Sequence, residues 1–184
     1  MIFLTGPNMA GKSTLLRALG AAVVLAHAGA AVPAASAQLS VFDVIGTVMS
    51  VEDDIRRGES YFLAEVRRVR ALLRAVEEGR RTLALLDEPF RGTNVLDASD
   101  ATLALLDGLA HSSRCRSVLA THLVDVVGRA SAGTRIKRAH FSAEVGHSLT
   151  FDHQLRDGTS DQRLGMLLFE REGVTDLLRR VSRM

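Results

Sequence analysis

A glycine-rich segment between an apolar strand pattern and a helical pattern constrains this chain more than any other feature. Its residues fit the spacing G-x-x-x-x-G-K-[ST]. Glycines allow the backbone to curl around a phosphate chain, so that successive N–H groups point inward. A helix that begins near Lys12 would direct the positive end of its dipole at the same phosphates. We therefore predict that this loop binds a nucleoside triphosphate. The predicted binding residues are Gly6, Pro7, Asn8, Met9, Ala10, Gly11, Lys12, Ser13 and Thr14.

The charged and hydroxyl groups near this loop have distinct predicted roles. Lys12 supplies a mobile cation for the β- and γ-phosphates, and the Ser13 hydroxyl is a ligand for Mg²⁺. An apolar run, 83–86, ends in two carboxylates, and ligands of open α/β sheets bind at the carboxyl ends of strands. We expect Asp87 to hold Mg²⁺ through water and Glu88 to orient the attacking water and accept its proton. The alternative, a solvated pair of acids, is weaker in a domain that also contains the loop.

Two further positions are candidates for contact with the nucleotide. His122 follows the predicted strand Ser117–Ala120, where its side chain would hydrogen-bond the γ-phosphate; a purely structural histidine is the alternative. Ser60 precedes the predicted helix Tyr61–Glu78 and is a plausible N-cap. The sharper hypothesis is that this helix start faces a γ-phosphate held by a second subunit.

Composition limits the class of protein. The 184 residues are 47% hydrophobic and 24% charged, which indicates one globular domain with a well-buried core. The net charge of +2 is too small to argue for nucleic-acid binding. The single cysteine, Cys115, excludes an intramolecular disulfide and suits a reducing cytoplasm, and no secretory leader is evident. The uncharged stretch Ala18–Ala35 is long enough to span a membrane, but we favour a helix buried against the sheet.

Strand and helix patterns alternate along the chain, as is typical of an α/β domain with a largely parallel sheet. Alternating runs near the carboxyl end, Arg135–Val145 and Ser148–Leu155, predict a hairpin, and Gln162–Arg180 predicts a short helical tail. The predicted strands are Ile2–Thr5, Leu39–Met49, Arg81–Leu86 and Ser117–Ala120, and the predicted helices are Lys12–Ala30, Tyr61–Glu78, Ala98–Ala110 and Leu123–Ala130.

The run TGPNMAGKSTLLRALG resembles the phosphate loop of MutS-family ATPases, with Ala10 in place of the usual glycine. The similarity covers nearly the whole chain in order. Its further segments are Val32-Pro33-Ala34, Asp53-Asp54, Gly58 to Phe62, Leu86-Asp87-Glu88, Arg91-Gly92-Thr93 with Asp97, Ala120-Thr121-His122, Asp157-Gly158 and Leu164-Gly165.

The resemblance implies the fold class α/β, P-loop NTPase, as an ABC-type ATPase domain covering residues 1–184. The expected architecture is a mostly parallel central sheet flanked by helices, with a C-terminal β-hairpin and short helices. It also implies a Mg²⁺-dependent, cytoplasmic ATPase that forms a homodimer, or pairs with a second MutS-like chain, through composite ATP sites. Asn8 would position the γ-phosphate or the water, Ser60 would reach the opposing nucleotide, and Asp97 would contact the neighbouring subunit.

The family's N-terminal DNA-reading, lever and clamp domains have no counterpart in this chain. DNA contact is therefore expected through such domains, because the arginines at 67, 68, 70 and 74 are equally typical of a solvated helix face. The segment Glu88–Asn94 differs from the usual repair-enzyme pattern and is closer to MutS-related paralogues. His140, His147 and His153 are interpreted as loose surface or interface residues.

Two alternatives remain open at this point. The chain is either an ATP-hydrolysing module of a DNA-repair or DNA-processing protein or a nucleotide-switched assembly module with little turnover. A transporter ATPase of the ABC type is less favoured, because no LSGGQ-like signature precedes the helix at Tyr61.

Overall fold

The computed structural model describes residues 1–49, 61–130, 135–146, 148–160, 162 and 164–182. Within these ranges the chain forms eight strands and six helices. The strands are β1 (Ile2–Thr5), β2 (Val44–Val48), β3 (Thr82–Asp87), β4 (Cys115–Ala120), β5 (Lys137–His140), β6 (Glu144–Val145), β7 (Leu149–Thr150) and β8 (Arg156–Asp157). The helices are α1 (Lys12–His27), α2 (Tyr61–Glu77), α3 (Val95–His111), α4 (Asp125–Arg129), α5 (Leu164–Arg171) and α6 (Val174–Val181).

Six of the described strands form one sheet in the order β2-β3-β4-β1-β5-β8. The first five strands run parallel, and β8 pairs antiparallel with β5. Ala120 at the end of β4 is in register with Leu4 on one side and Asp87 on the other. The ends of β1, β3 and β4 therefore lie side by side at one edge of the sheet, and each continues into a segment with polar side chains.

The central strands are covered on both faces, which explains their continuous apolar sequence. Leu86 and Leu119 belong to one buried cluster beneath α3, while Leu85 and Val118 belong to a second cluster beneath α1. Leu85, Leu86 and Leu119 are fully buried. Each such side chain stabilises the fold by about 1.5–3 kcal/mol relative to an exposed one, so the site edge rests on a rigid core.

Helix α1 is shorter and more exposed than its sequence predicts. It ends at His27, and among its apolar side chains Leu16 and Val23 are the buried ones. Leu16 and Val23 pack against β3 and β4, which confirms a helix buried against the sheet, but Val24 and Leu25 are 54% and 38% exposed. Alanine-rich sequence hides the direction of the apolar face, because small side chains add little contrast between the two sides. In the described part of the chain, no helix is both long enough and apolar enough to cross a membrane.

The carboxyl-terminal strands also differ from the prediction. The first half of the predicted hairpin divides: Lys137–His140 joins the main sheet beside β1, and Glu144–Val145 pairs with Leu149–Thr150. Arg156–Asp157 then closes the sheet edge against β5. The antiparallel pairing of β6 with β7 across the turn at Gly146 confirms the centre of the predicted hairpin. The outer parts of the two runs pair elsewhere, because alternating sequence indicates a strand but does not identify its partner.

The predicted fold class was also wrong. The described residues form a small α/β domain, and we withdraw its assignment to P-loop NTPases and to ABC-type ATPase domains. That assignment was implied by the resemblance of the loop and of the later motifs to MutS-family ATPases. A loop pattern specifies local backbone angles, whereas the class of a fold depends on the order and direction of all its strands.

Candidate functional site

The glycine-rich loop between β1 and α1 has the tight geometry that its glycines permit. Gly6 and Gly11 have φ angles of +139° and +109°. A Cβ atom at Gly6 would lie 2.7 Å from the carbonyl oxygen of Phe141, which is closer than real Cβ contacts allow. Met9 also has a positive φ, +70°, at the exposed tip of the loop. The loop is therefore held in one strained path that ends where α1 begins.

Lys12 lies beneath this loop at the start of α1 and is only 5% exposed. Its Nζ donates to the carbonyl oxygens of Gly6 and Pro7 at 2.7 and 3.1 Å. Burial lowers the pKa of Lys12, and the charges of Glu88 and Asp87 oppose this shift. Lys12 Nζ is also 3.9 Å from Glu88 Oε1, so its ammonium joins the loop to the end of β3.

Asp87 and Glu88 stand at the carboxyl end of β3. Asp87 Oδ1 is buried and has no hydrogen-bond partner among the described residues. A buried carboxylate oxygen of this kind needs a donor or a cation, and the Ser13 hydroxyl lines the same cavity. No cluster of three acidic, histidine or cysteine side chains suited to a metal occurs in the described ranges. The donor set thus fits Mg²⁺, which is bound by one or two protein oxygens together with phosphates and water.

His122 comes directly after β4 and contacts Glu88. Its Nδ1–H donates to Glu88 Oε2 at 2.6 Å. This hydrogen bond is the main cause of a raised His122 pKa, while partial desolvation and the charges of Lys12 and Arg91 oppose the shift. Glu88 itself has a φ of +50°, which is uncommon for a residue with a side chain. The two side chains form a pair whose charge state depends on pH.

The contribution of the His122–Glu88 pair to stability is expected to disappear at high pH. The folded-state pKa of His122 lies above its unfolded value of about 6.5, so the stabilisation is complete below that value and is lost as pH rises through the folded pKa. His122→Ala should lower the free energy of unfolding by about 0.2–1 kcal/mol near pH 6, because the histidine side chain is 64% exposed. Urea unfolding of parent and variant at about pH 6 and pH 9 measures this difference. An equal difference at both pH values would contradict the expectation.

One cavity of about 780 Å³ collects most of the predicted site residues. Gly6, Pro7 and Ala10 are the buried residues of the loop. The carbonyl oxygens of Gly6 and Pro7 accept hydrogen bonds from Lys12. The predicted residues that line the cavity are Asn8, Met9, Gly11, Lys12, Ser13, Thr14, Asp87, Glu88 and His122. Their roles remain predictions, but their proximity is a property of the fold.

Besides the buried loop residues, two predicted residues are not placed at the cavity. Asp97 lies in the first turn of α3, where its backbone N–H donates to the Asn94 side chain at 3.0 Å and its carboxylate accepts from Asn94 Nδ2 at 2.6 Å. It does not line the cavity, and its predicted contact with another subunit stays a prediction. Ser60 lies outside the described residues.

Sequence analysis missed five side chains that line the cavity: Leu15, Tyr61, Arg91, Phe141 and His153. His153 is exposed, as expected for a surface or interface residue, but it is not loose, because its Nδ1–H donates to the Ala10 carbonyl at 3.1 Å and its ring stacks on Phe151. His153 and Ala10 are 143 positions apart. No local pattern predicts such a contact; only the alternation around His153 marked it as part of a strand or turn.

Comparison with known proteins gives consistent matches over almost the whole chain. Residues 2–180 match the family MutS domain V. The chain is 39% identical over 175 residues to the DNA mismatch repair protein MutS of Thermus thermophilus, which covers 95% of this chain and 21% of that protein. It is 35% identical over 181 residues to MutS of Streptococcus gordonii, covering 97% of this chain and 21% of that protein. Against MutS of Chloroflexus aurantiacus the identity is 34% over 186 residues, with 99% and 19% covered.

These matches bear on the fold class and on the extent of the chain. MutS domain V is a fold of its own, and this is the finding that overturns the assignment to P-loop NTPases of the ABC type. The chain spans about a fifth of the length of the curated relatives named above, 19–21% in each case.

Proposed function

Because this chain belongs to the MutS family, we propose that residues 1–184 are the ATP-binding and ATP-hydrolysing module of a MutS-like DNA mismatch repair or DNA-processing protein. One observation carries the proposal: a single cavity joins the glycine-rich loop and Lys12 to the carboxylates at the end of β3. The first group suits the binding of phosphates and the second suits the activation of water, so together they support phosphoryl transfer to water.

The loop and the first turn of α1 are the proposed binding site of the triphosphate. Their backbone N–H groups and the dipole of α1 favour an anion at this position. Lys12, which donates to the carbonyls of the loop itself, is the proposed partner of the β- and γ-phosphates. The stacked rings of His153 and Phe151 lie beside the loop. We propose that they contact the nucleoside end of the ligand.

Glu88 is the proposed base for hydrolysis. Water attacks the γ-phosphorus, the bond from that phosphorus to the bridging oxygen breaks, and ADP and inorganic phosphate leave. Glu88 accepts the proton of the attacking water, while its contact with His122 holds the carboxylate in place. Ser13 and Asp87 would hold Mg²⁺, which neutralises the charge on the phosphates when it is bound.

Purified chain should hydrolyse ATP slowly, and the reaction should stop on addition of EDTA, since Mg²⁺ is required.

Dimerisation through shared sites is part of the proposal. If each site takes Ser60 from one subunit and Lys12 from the other, a mixture of Ser60→Ala and Lys12→Ala chains recovers part of the activity that each lacks alone. Phosphate release measured before and after mixing tests this. No recovery would contradict shared sites while leaving hydrolysis itself intact.

A second function is favoured by one contact. Both carboxylate oxygens of Glu88 are engaged, one by His122 at 2.6 Å and one near Lys12 at 3.9 Å. A base held in this way turns over slowly, which suits a nucleotide-switched assembly module. Dimer formation on ATP addition with fewer than about one turnover per chain would favour this function over the ATPase.

Contact with DNA is proposed at the level of the whole protein. The relatives are named as DNA mismatch repair proteins, and this chain corresponds to about a fifth of their length. We propose that ATP binding and hydrolysis here control DNA contact by parts of the protein outside these residues.

A further inference from the structure

Glu65 is a buried carboxylate that the proposed mechanism does not yet use. It lies in the second turn of α2 and is 1% exposed, although acidic residues are almost never fully buried without partners. Burying an unpaired charge is strongly unfavourable, so its partners identify what it does.

The partners of Glu65 are backbone amides of the segment that follows the catalytic carboxylate. Gly92 N–H donates to Glu65 Oε2 at 3.4 Å, and the backbone amides of Phe90 and Arg91 lie near enough to the carboxylate to favour its charged form. Burial raises the pKa of Glu65, while the three amides and the charge of Arg91 oppose that shift. One side chain thus bonds Gly92 and faces the amides of the two preceding residues in the turn between β3 and α3.

The same turn is strained and closely seated on α2. Glu88 and Phe90 both have positive φ angles, +50° and +67°. A Cβ atom at Gly92 would lie 2.6 Å from the ring of Tyr61 and 2.7 Å from the backbone nitrogen of Phe62. Strained backbone of this kind persists only where the surroundings hold it, and the Glu65 carboxylate supplies directed bonds at this point.

We infer that Glu65 is a positioning residue for ATP hydrolysis: by holding the amides of residues 90–92 it fixes the turn that aims Glu88 at the cavity. The inference rests on the proposed function of Glu88 as the base. It also makes α2 and the catalytic turn one unit, because Tyr61 at the start of α2 and Arg91 in the turn line the same cavity. Glu65 itself does not line that cavity and acts through the backbone.

The test compares Glu65→Gln with the parent chain in steady-state ATP hydrolysis and in binding of a fluorescent ATP analogue. Glutamine keeps the shape but removes the charge and brings an N–H₂ group towards three N–H donors. We expect kcat to fall about 10-fold or more, with KM and the affinity for the analogue within about twofold of the parent, since the loop and Lys12 are untouched. Glu77→Gln, an exposed acid on the same helix, is the matched control and should behave as the parent.

A double variant separates a positioning role from a merely structural one. Single-turnover hydrolysis by Glu65→Gln/Glu88→Gln should be no slower than by Glu88→Gln alone, because Glu65 acts through Glu88. Additive losses, or a rise of KM in parallel with the fall in kcat, would overturn the inference, as would a parent-like kcat for Glu65→Gln. If Glu65→Gln does not fold, Glu65→Asp carries the same test, since it keeps the charge but draws it back from the amides.

The outcomes also separate this inference from the proposed function. A parent chain that hydrolyses ATP while Glu65→Gln matches it overturns the role of Glu65 alone. A folded parent chain that neither binds nor hydrolyses ATP overturns the proposed function and the inference with it.

Discussion

Replacing Glu88 with glutamine is expected to slow ATP hydrolysis by a factor of about 10²–10⁴, or about 3–5 kcal/mol in the activation free energy. The amide cannot accept the proton of the attacking water, while its size and its position at the end of β3 are preserved. ATP binding should remain, because the loop, α1 and Lys12 are unchanged. Loss of the carboxylate also removes a negative charge 3.9 Å from Lys12, which favours retention of the anionic ligand.

Phosphate release under saturating ATP and binding of a fluorescent ATP analogue measure the two effects separately. Glu170 is an exposed acid in α5, and Glu170→Gln is a control with the same change of carboxylate to amide. Analytical ultracentrifugation should show that the Glu88→Gln chain accumulates as an ATP-bound dimer. A Glu88→Gln variant that hydrolyses ATP at the parent rate would remove Glu88 from the mechanism.

Replacing Lys12 with alanine is expected to abolish detectable hydrolysis and to weaken ATP binding by about 10–150-fold, as expected for the loss of hydrogen bonds to a charged group. The Lys12 ammonium is buried at the start of α1, directly under the loop. The other lysine of the chain is exposed in β5 and does not replace it. Removal of the Lys12 ammonium also takes one donor from each of the Gly6 and Pro7 carbonyls, which loosens the loop, although Pro7 O still accepts from Ala10 N–H at 3.3 Å.

The chain contains only one other lysine, Lys137, which is exposed in β5. Lys137→Ala is therefore the matched control and should bind ATP as the parent does. Circular dichroism and thermal unfolding show whether Lys12→Ala keeps the fold. Parent-like ATP affinity in a folded Lys12→Ala chain would contradict the assignment of the loop as the triphosphate-binding site.

Local spacing was sufficient for the parts of the site that lie on short stretches of chain. The strand before Gly6, the helix start at Lys12 and the apolar strand ending at Asp87 are encoded by glycine positions and by runs of apolar residues, which restrict φ and ψ directly. The family resemblance, carried by the same motifs, is confirmed by the match to MutS domain V. The roles assigned to the individual site residues remain predictions.

Contacts between distant parts of the chain depended on the order of the strands, which the sequence pattern did not specify. His153 meets Ala10 because β8 pairs with β5, the strand next to β1. Glu65 meets the 90–92 turn because α2 packs beside β3. The division of the predicted run Arg135–Val145 between β5 and β6 was missed for the same reason, whereas the fold class was overturned by the match to MutS domain V. Periodicity records which residues avoid water, whereas the identity of the partner that shields them is a property of the assembled sheet.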